Sequence, residues 1–478
     1  TLLNTRRIGG TPRVTIPDNV DVAGIERGKP SDLLGAVKLT GQTGPLRYGL
    51  LSAFEDDVRL PGTLNSGPNI GQATRVEAEG RDFGVARLLY ETTGAGRQSI
   101  GYLGTVVSYE DYDAIVHGVD GHWLSPNGLW QVDGQFIKSD VDDVTGDGYL
   151  ADVKFKPKQG VEHNLTLDWL DENLDVRDLG FIRRNDSRNI IYRYSYTTGR
   201  GLKRLRAKNR SAVLSSEWNQ DGRHVRGGLF FRNGWTFKNL NEIRTEFDYF
   251  PARWDDRNSF GNGDFKVDDR VVAEIAFGTD TSKQLSFSAL VGMRQEELSD
   301  WSLRSALGVT YKPNDRFSID FDLNYFDRKG WLLHQFGYGR SDSTMDRNMT
   351  TFDGQEFQPR LAMDLFLSAK QQLRLTLQWA GINMSESDHY LIPLNDGELI
   401  PVSRTLGEPH NDFTVSRMTA QLRYRWELGP LSDLFVVYTR GSNLPDRVDD
   451  EFSDLFADAL DQPVVDLFVI KLRYRFGL

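Results

Sequence analysis

The chain has no cysteine among its 478 residues. Disulfide frameworks, thiolate metal sites and cysteine nucleophiles are therefore excluded. It also lacks any apolar run approaching the roughly 18 residues that a membrane-spanning helix requires. Basic charge does not dominate: 57 Lys and Arg stand against 68 Asp and Glu, a formal net charge of −11. With no basic stripe to neutralise phosphates, a nucleic-acid partner is not expected. Proline is scarce (17) beside glycine (46), and aromatics, at 11%, are too many for a disordered acidic chain. The chain opens at Thr1 with no charged-then-apolar leader, so any export signal is expected upstream.

What the sequence does have is alternation. Phe317, Ile319, Phe321, Leu323 and Tyr325 are interleaved with Ser318, Asp320, Asp322 and Asn324. Leu373, Leu375, Leu377 and Trp379 are interleaved with Gln372, Arg374, Thr376 and Gln378. Met418, Ala420, Leu422, Tyr424 and Trp426 alternate with Thr419, Gln421, Arg423 and Arg425. Phe468, Ile470, Leu472, Tyr474 and Phe476 alternate with Lys471, Arg473 and Arg475. A period of two places each set on its own side of a strand, giving one apolar and one charged face. Candidate strands of this kind begin at Leu33–Thr40 and Arg47–Phe54 and recur to the C-terminus.

A soluble sandwich would also use such strands. Two features point instead to an all-β, antiparallel, transmembrane outer-membrane β-barrel of roughly 20–22 strands, closed in even number. The segments run to about ten residues or more, enough to cross a bilayer at a tilt, whereas soluble strands average about five or six. Connections alternate between short ones, such as Lys312–Asp315, Ser368–Gln371 and Gly429–Asp433, and long ones near Ile382–Asp412 and Gly441–Pro463. Aromatics gather near strand ends, as an interfacial girdle requires. Residues 1–31 do not alternate and form a lead-in arm, lying in the lumen or hanging in the periplasm; residues 32–478 form the barrel.

The lumen-facing candidates are Asp320, Asp322, Arg374, Arg423, Arg425, Arg473 and Arg475. Asp320 and Asp322 are about 7 Å apart along one face, a separation that glycosidases use, yet any polar-lined barrel carries such pairs. His117 and His122 are five apart and point to opposite faces, so they cannot share a metal. Asp140, Asp142, Asp143 and Asp147 have the composition of a Ca²⁺ loop, but Val144 stands where a ligand belongs; a solvated turn is the preferred reading. No cofactor is expected, with Ca²⁺ in an acidic outer loop as the alternative. Arg183, Arg184 and Arg188 form a basic cluster suited to lipopolysaccharide phosphates or to the lumen wall. The acidic stretch Asp446–Gln462 reads most simply as a solvated outer loop; its apolar members Phe452, Leu455, Phe456 and Leu460 also fit a short amphipathic helix, and the alternative reading is that it caps the lumen or meets a partner. Neither Gly-x-Ser-x-Gly nor a glycine-rich phosphate loop is present, and no catalytic constellation stands out.

The segment "DFTVSRMTAQLRYRWELGPLSDLFVVYTRGSN" from Asp412, followed by "FVIKLRYRFGL", resembles the C-terminal region of a poorly characterised outer-membrane barrel family. Its barrel usually follows a carbohydrate-binding domain of the family-9 type. "SAKQQLRLTLQWAGI", "LGFIRRNDSRN", "LLGAVKLTGQTG" and "TRRIGG" extend the resemblance over nearly the whole chain. The carbohydrate-binding domain itself is absent from this sequence. The resemblance implies a Gram-negative outer-membrane location. It carries over no catalytic residues.

The expected role is a porin-like or partner-gated conduit for carbohydrate-derived solutes. A plugged barrel anchoring a binding domain or partner is the second reading, and an outer-membrane enzyme the third. Expected partners are outer-membrane lipid and lipopolysaccharide, the barrel assembly machinery, and a periplasmic or surface protein.

Overall fold

The computed structural model describes residues 2–335, 347–403, 411–444 and 451–475. The terminal aromatic at Phe476 and the start of the acidic stretch at Asp446 lie outside the described residues. The chain is nearly all β, with one helix of more than a single turn among the described residues, Phe452–Asp461. The long strands belong to one large antiparallel sheet. By internal contacts the chain divides into two compact units, residues 1–194 with 215–224, and residues 195–214 with 225–478.

The first unit is a meander: Leu33–Thr43, Leu46–Glu55, Asp82–Thr92, Arg97–Tyr109, Tyr112–Leu124, Trp130–Val141, Val144–Lys158 and Val161–Leu170, each antiparallel to the one before. At one end the connections are all short. At the other lie segments 56–81 and 171–186, together with two tight turns. One of these is Asp142-Asp143, both at positive φ (52° and 63°), the geometry of a two-residue hairpin turn that matches strand twist. The acidic stretch is therefore a hairpin, with Asp140 and Asp147 already on its strands.

Alternation decides what each face meets. On one side large apolar side chains stand in the open, among them Val37 (70% exposed) and Ile100 (60% exposed). The other side is polar toward the short turns but apolar toward the long connections, where Ala53, Phe83, Val107, Ala114, Val116 and Ile137 are buried. The N-terminal arm covers that patch. Leu2 packs among Val116, Ile137 and Leu170, alongside Leu174 and Val176 of the 171–186 segment. Gly118 makes the room, because a Cβ there would lie 2.3 Å from Leu2 Cδ1. The arm also supplies Val20–Val22 to a three-stranded sheet with Val58–Leu64 and Ala73–Ala78.

The second unit continues the meander from Glu242–Phe250 and Arg270–Gly278 to Ser432–Leu444 and Val465–Arg473. Its central strands Phe317–Gln335, Asn348–Ser368 and Gln371–Leu391 reach 19, 21 and 21 residues, longer than the alternation suggests. β-bulges between Arg328 and Trp331 and between Thr350 and Phe352 shift the register. Each bulge slips the inside-outside pattern by a residue, so the apparent strand stops where the real one bends. The long connection accordingly begins at Ile392, not near Ile382.

One expectation is corrected. The helix Phe452–Asp461 does not cap the polar face. Leu455 and Ala459 bury against Trp379 and Met418, flanked by Phe452 and Phe456, and Trp379 and Met418 belong to the apolar rows. The acidic helix lies there because that face is where its apolar stripe finds partners. Leu33–Thr43 pairs with Leu46–Glu55, and Val465–Arg473 pairs with Ser432–Leu444. The short strand Ile400–Val402 only extends an edge that Gln371–Leu391 already shares with Phe413–Gly429.

Leu455→Ala should weaken the docking of the helix by about 2–5 kcal/mol, as for other buried leucines. Hydrogen exchange should then show lost protection at residues 452–461 with Gln371–Leu391 unchanged. Equal loss in both would mean that the helix is integral to the sheet.

Candidate functional site

The candidate site is the polar face, built from side chains that alternate with the apolar rows. Asp322 pairs with Arg360 (3.0 Å), and Asp364 accepts from Arg374 (2.8 Å). Asp320 accepts from the Thr310 hydroxyl (2.7 Å). Asp433 is buried between Arg425 (2.9 Å) and Arg473. Arg423 stands opposite Arg374 in register, and the backbone N–H of Arg475 donates to Ser432 Oγ (3.1 Å).

The seven sequence candidates are thus only partly brought together. Arg425 and Arg473 converge on one carboxylate; Asp320 and Asp322 keep separate donors and form no acid–base couple. Arg360, Asp364 and Asp433 escape the sequence reading because a cross-strand partner is fixed by register, which no single strand reveals.

Further along the same unit, Arg232 bridges Glu246 (2.7 Å) and Asp248 (3.1 Å), and Arg304 pairs with Glu274 (3.0 Å). A recess of about 640 Å³ opens there, lined by Ser195, Thr197, Asn209 and Ser211 beside Arg232 and Glu246. Its lining offers hydroxyl, amide and paired-charge groups together, a surface that can exchange hydrogen bonds with a polar solute without stranding a bare charge.

In the first unit the polar face carries Arg87–Asp120, His122–Asp133 and Asn189–Asp168. His117 points the other way, toward Tyr102, so the two histidines do occupy opposite faces. The arm is fastened over this unit at three points. Asn4 N–H donates to the Leu179 carbonyl (2.5 Å). Gly9 N–H donates to Glu55 (2.7 Å), whose carboxylate also takes two bonds from Arg81 (2.8 and 3.0 Å). Arg13 reaches Asp178 (3.1 Å) and the Tyr112 hydroxyl (3.0 Å). Burial alone would pull the Arg13 guanidinium down, but the Asp178 carboxylate together with Tyr112 and Tyr109 outweighs it and its pKa is raised.

The basic cluster is divided among local partners. Arg183 donates to Glu217 (2.6 Å), and Arg188 to Gln220 (2.7 Å). Arg184 lies 3.6 Å from Asp186. It ties the 171–186 segment to its neighbours.

A family model described as "Domain of unknown function (DUF5916)" matches residues 1–476. No curated protein matches the chain.

The Glu55 and Arg81 side chains are only 1% and 8% exposed. Removing one member of a buried pair strands the other, at about 3–5 kcal/mol. Glu55→Ala should therefore release the arm, and trypsin should cut at Arg6, Arg7 and Arg13 much faster than in the parent. Unchanged cleavage would mean that the arm is held by its apolar residues alone.

Proposed function

The chain belongs to the family of that model, whose function is uncharacterised, and on that premise we propose that it is an outer-membrane β-barrel of a Gram-negative cell. Its polar face lines a gated conduit for polar, carbohydrate-derived solutes. The observation that carries the reading is the pairing of two unlike faces on the same strands. Large apolar residues such as Leu307 (58% exposed) and Ile470 (64% exposed) face outward, opposite rows of ion pairs. Leaving one such side chain in water forgoes about 1.5–3 kcal/mol, and rows this long exceed what a soluble surface carries. Lipid removes that cost.

Within hydrocarbon an unpaired strand edge costs several kcal/mol per group. We therefore take the sheet to be a closed barrel in the membrane. The short turns lie in the periplasm and the long connections, with the arm, at the cell surface. Outer-membrane lipid and lipopolysaccharide are the immediate surroundings, and assembly machinery is required for insertion. A hydrolase reading gains no support from Asp320 and Asp322, each held by its own donor.

The second reading, a plugged anchor for a binding domain or partner, draws on the three fastenings of the arm. Conductance in planar bilayers separates the two. The parent protein should open rarely, and Glu55→Ala should raise conductance severalfold. Silence from both variants, with folded protein inserted, would favour the anchor. A water-soluble folded monomer would end both readings.

A further inference from the structure

The apolar face of the first unit is not uniformly apolar. Tyr102 and His117 stand on it, and the Tyr102 hydroxyl lies 2.7 Å from His117 Nδ1. The sheet is shaped to permit this. Gly104 is in register with His117, and a Cβ at Gly104 would lie 2.8 Å from the Tyr102 hydroxyl. The glycine lets the phenol lie across the strand to the imidazole. Beside the pair runs a groove of about 530 Å³. Val37, Leu39 and Leu50 line one side of it, with the small residues Ser52, Gly84 and Ala86 between them and the pair.

The pair carries one hydrogen-bond donor too many. If Tyr102 donates to Nδ1, the neutral imidazole holds its proton on Nε2. If Nδ1–H donates to the phenol, the phenolic O–H is left over. A doubly protonated ring leaves both. In every state a donor faces the groove, and neither side chain has a second hydrogen-bond partner among the described residues. The other His–Tyr pair of this unit, His163 with Tyr192 (2.7 Å), sits two residues from the turn at Gln159-Gly160, where water and headgroups reach. Tyr102 and His117 lie five residues inside strands Arg97–Tyr109 and Tyr112–Leu124, about 16 Å along the strand. A donor left unmet in hydrocarbon is costly, and intramembrane polar groups mark sites for that reason.

We propose that this groove is a binding site for an acyl lipid, with one chain along the apolar wall and an ester carbonyl oxygen accepting from the Tyr102–His117 pair. The inference rests on the membrane reading above. The chain supplies apolar area to the groove, and the carbonyl supplies the acceptor that the protein withholds.

The test is native mass spectrometry of the full chain in detergent micelles, titrated with dioleoyl phosphatidylethanolamine and with its ether-linked analogue, which has the same chains but no ester carbonyls. One neutral hydrogen bond corresponds to roughly a fivefold preference for the ester lipid. That preference should vanish in the double variant Tyr102→Phe with His117→Phe, with β-type circular dichroism retained. Equal binding of ester and ether lipid by the parent overturns the proposal, and that result stands even if the variant does not fold. A preference that survives in a folded variant also overturns it. Recovery of native protein without detergent would instead sink the membrane reading, which keeps the two failures apart.

Discussion

Everything in this molecule follows from one constraint: a hydrogen-bonded antiparallel ladder turns successive side chains to opposite sides. Once Phe317, Ile319 and Phe321 share a side, Ser318, Asp320 and Asp322 must share the other. Register then fixes which charges meet. Asp322 finds Arg360, and Asp364 finds Arg374, because the strands between them are in step. A one-residue slip would exchange apolar and charged rows, so the faces and the ion pairs stand or fall together.

The places where the two faces stop being unlike are the places where something else packs. In the first unit Ala114, Ile115 and Val116 are apolar on both sides, and the inner two of them are buried near the arm. In the second, Trp379 and Met418 receive the helix. Met349 and Ile392 pack with Phe265 and Val267 of the small sheet formed by Arg253–Asp255, Phe265–Val267 and Gly397–Glu398. Covering elements thus collect over the long-connection end of the strands.

Much of the fold was legible for a physical reason: alternation over ten or more residues is hard to produce otherwise, and Leu33–Thr40 and Leu285–Met293 were visible within the strands that contain them. Three things were not legible. Bulges hid the far halves of Phe317–Gln335 and Gln371–Leu391, because a slipped pattern reads as an ended one. Short strands such as Val58–Leu64, carrying Pro61, and Phe265–Val267 are too brief to show a period. The site was legible only by side. Arg425 and Arg473 could be assigned a face, but their shared carboxylate, Asp433, could not be foreseen without register. Tyr102 and His117 looked ordinary because their significance lies in a shared bond across two strands.

The central claim is that one face of these strands meets lipid and the other water. Spin labels placed singly at residues 319 to 323 of the membrane-inserted protein would test it through collision with oxygen, which concentrates in lipid, and with a water-soluble nickel chelate. The account predicts a period of two, with oxygen favoured at 319, 321 and 323 and nickel at 320 and 322. Uniform accessibility along the strand, or the opposite phase, would contradict it.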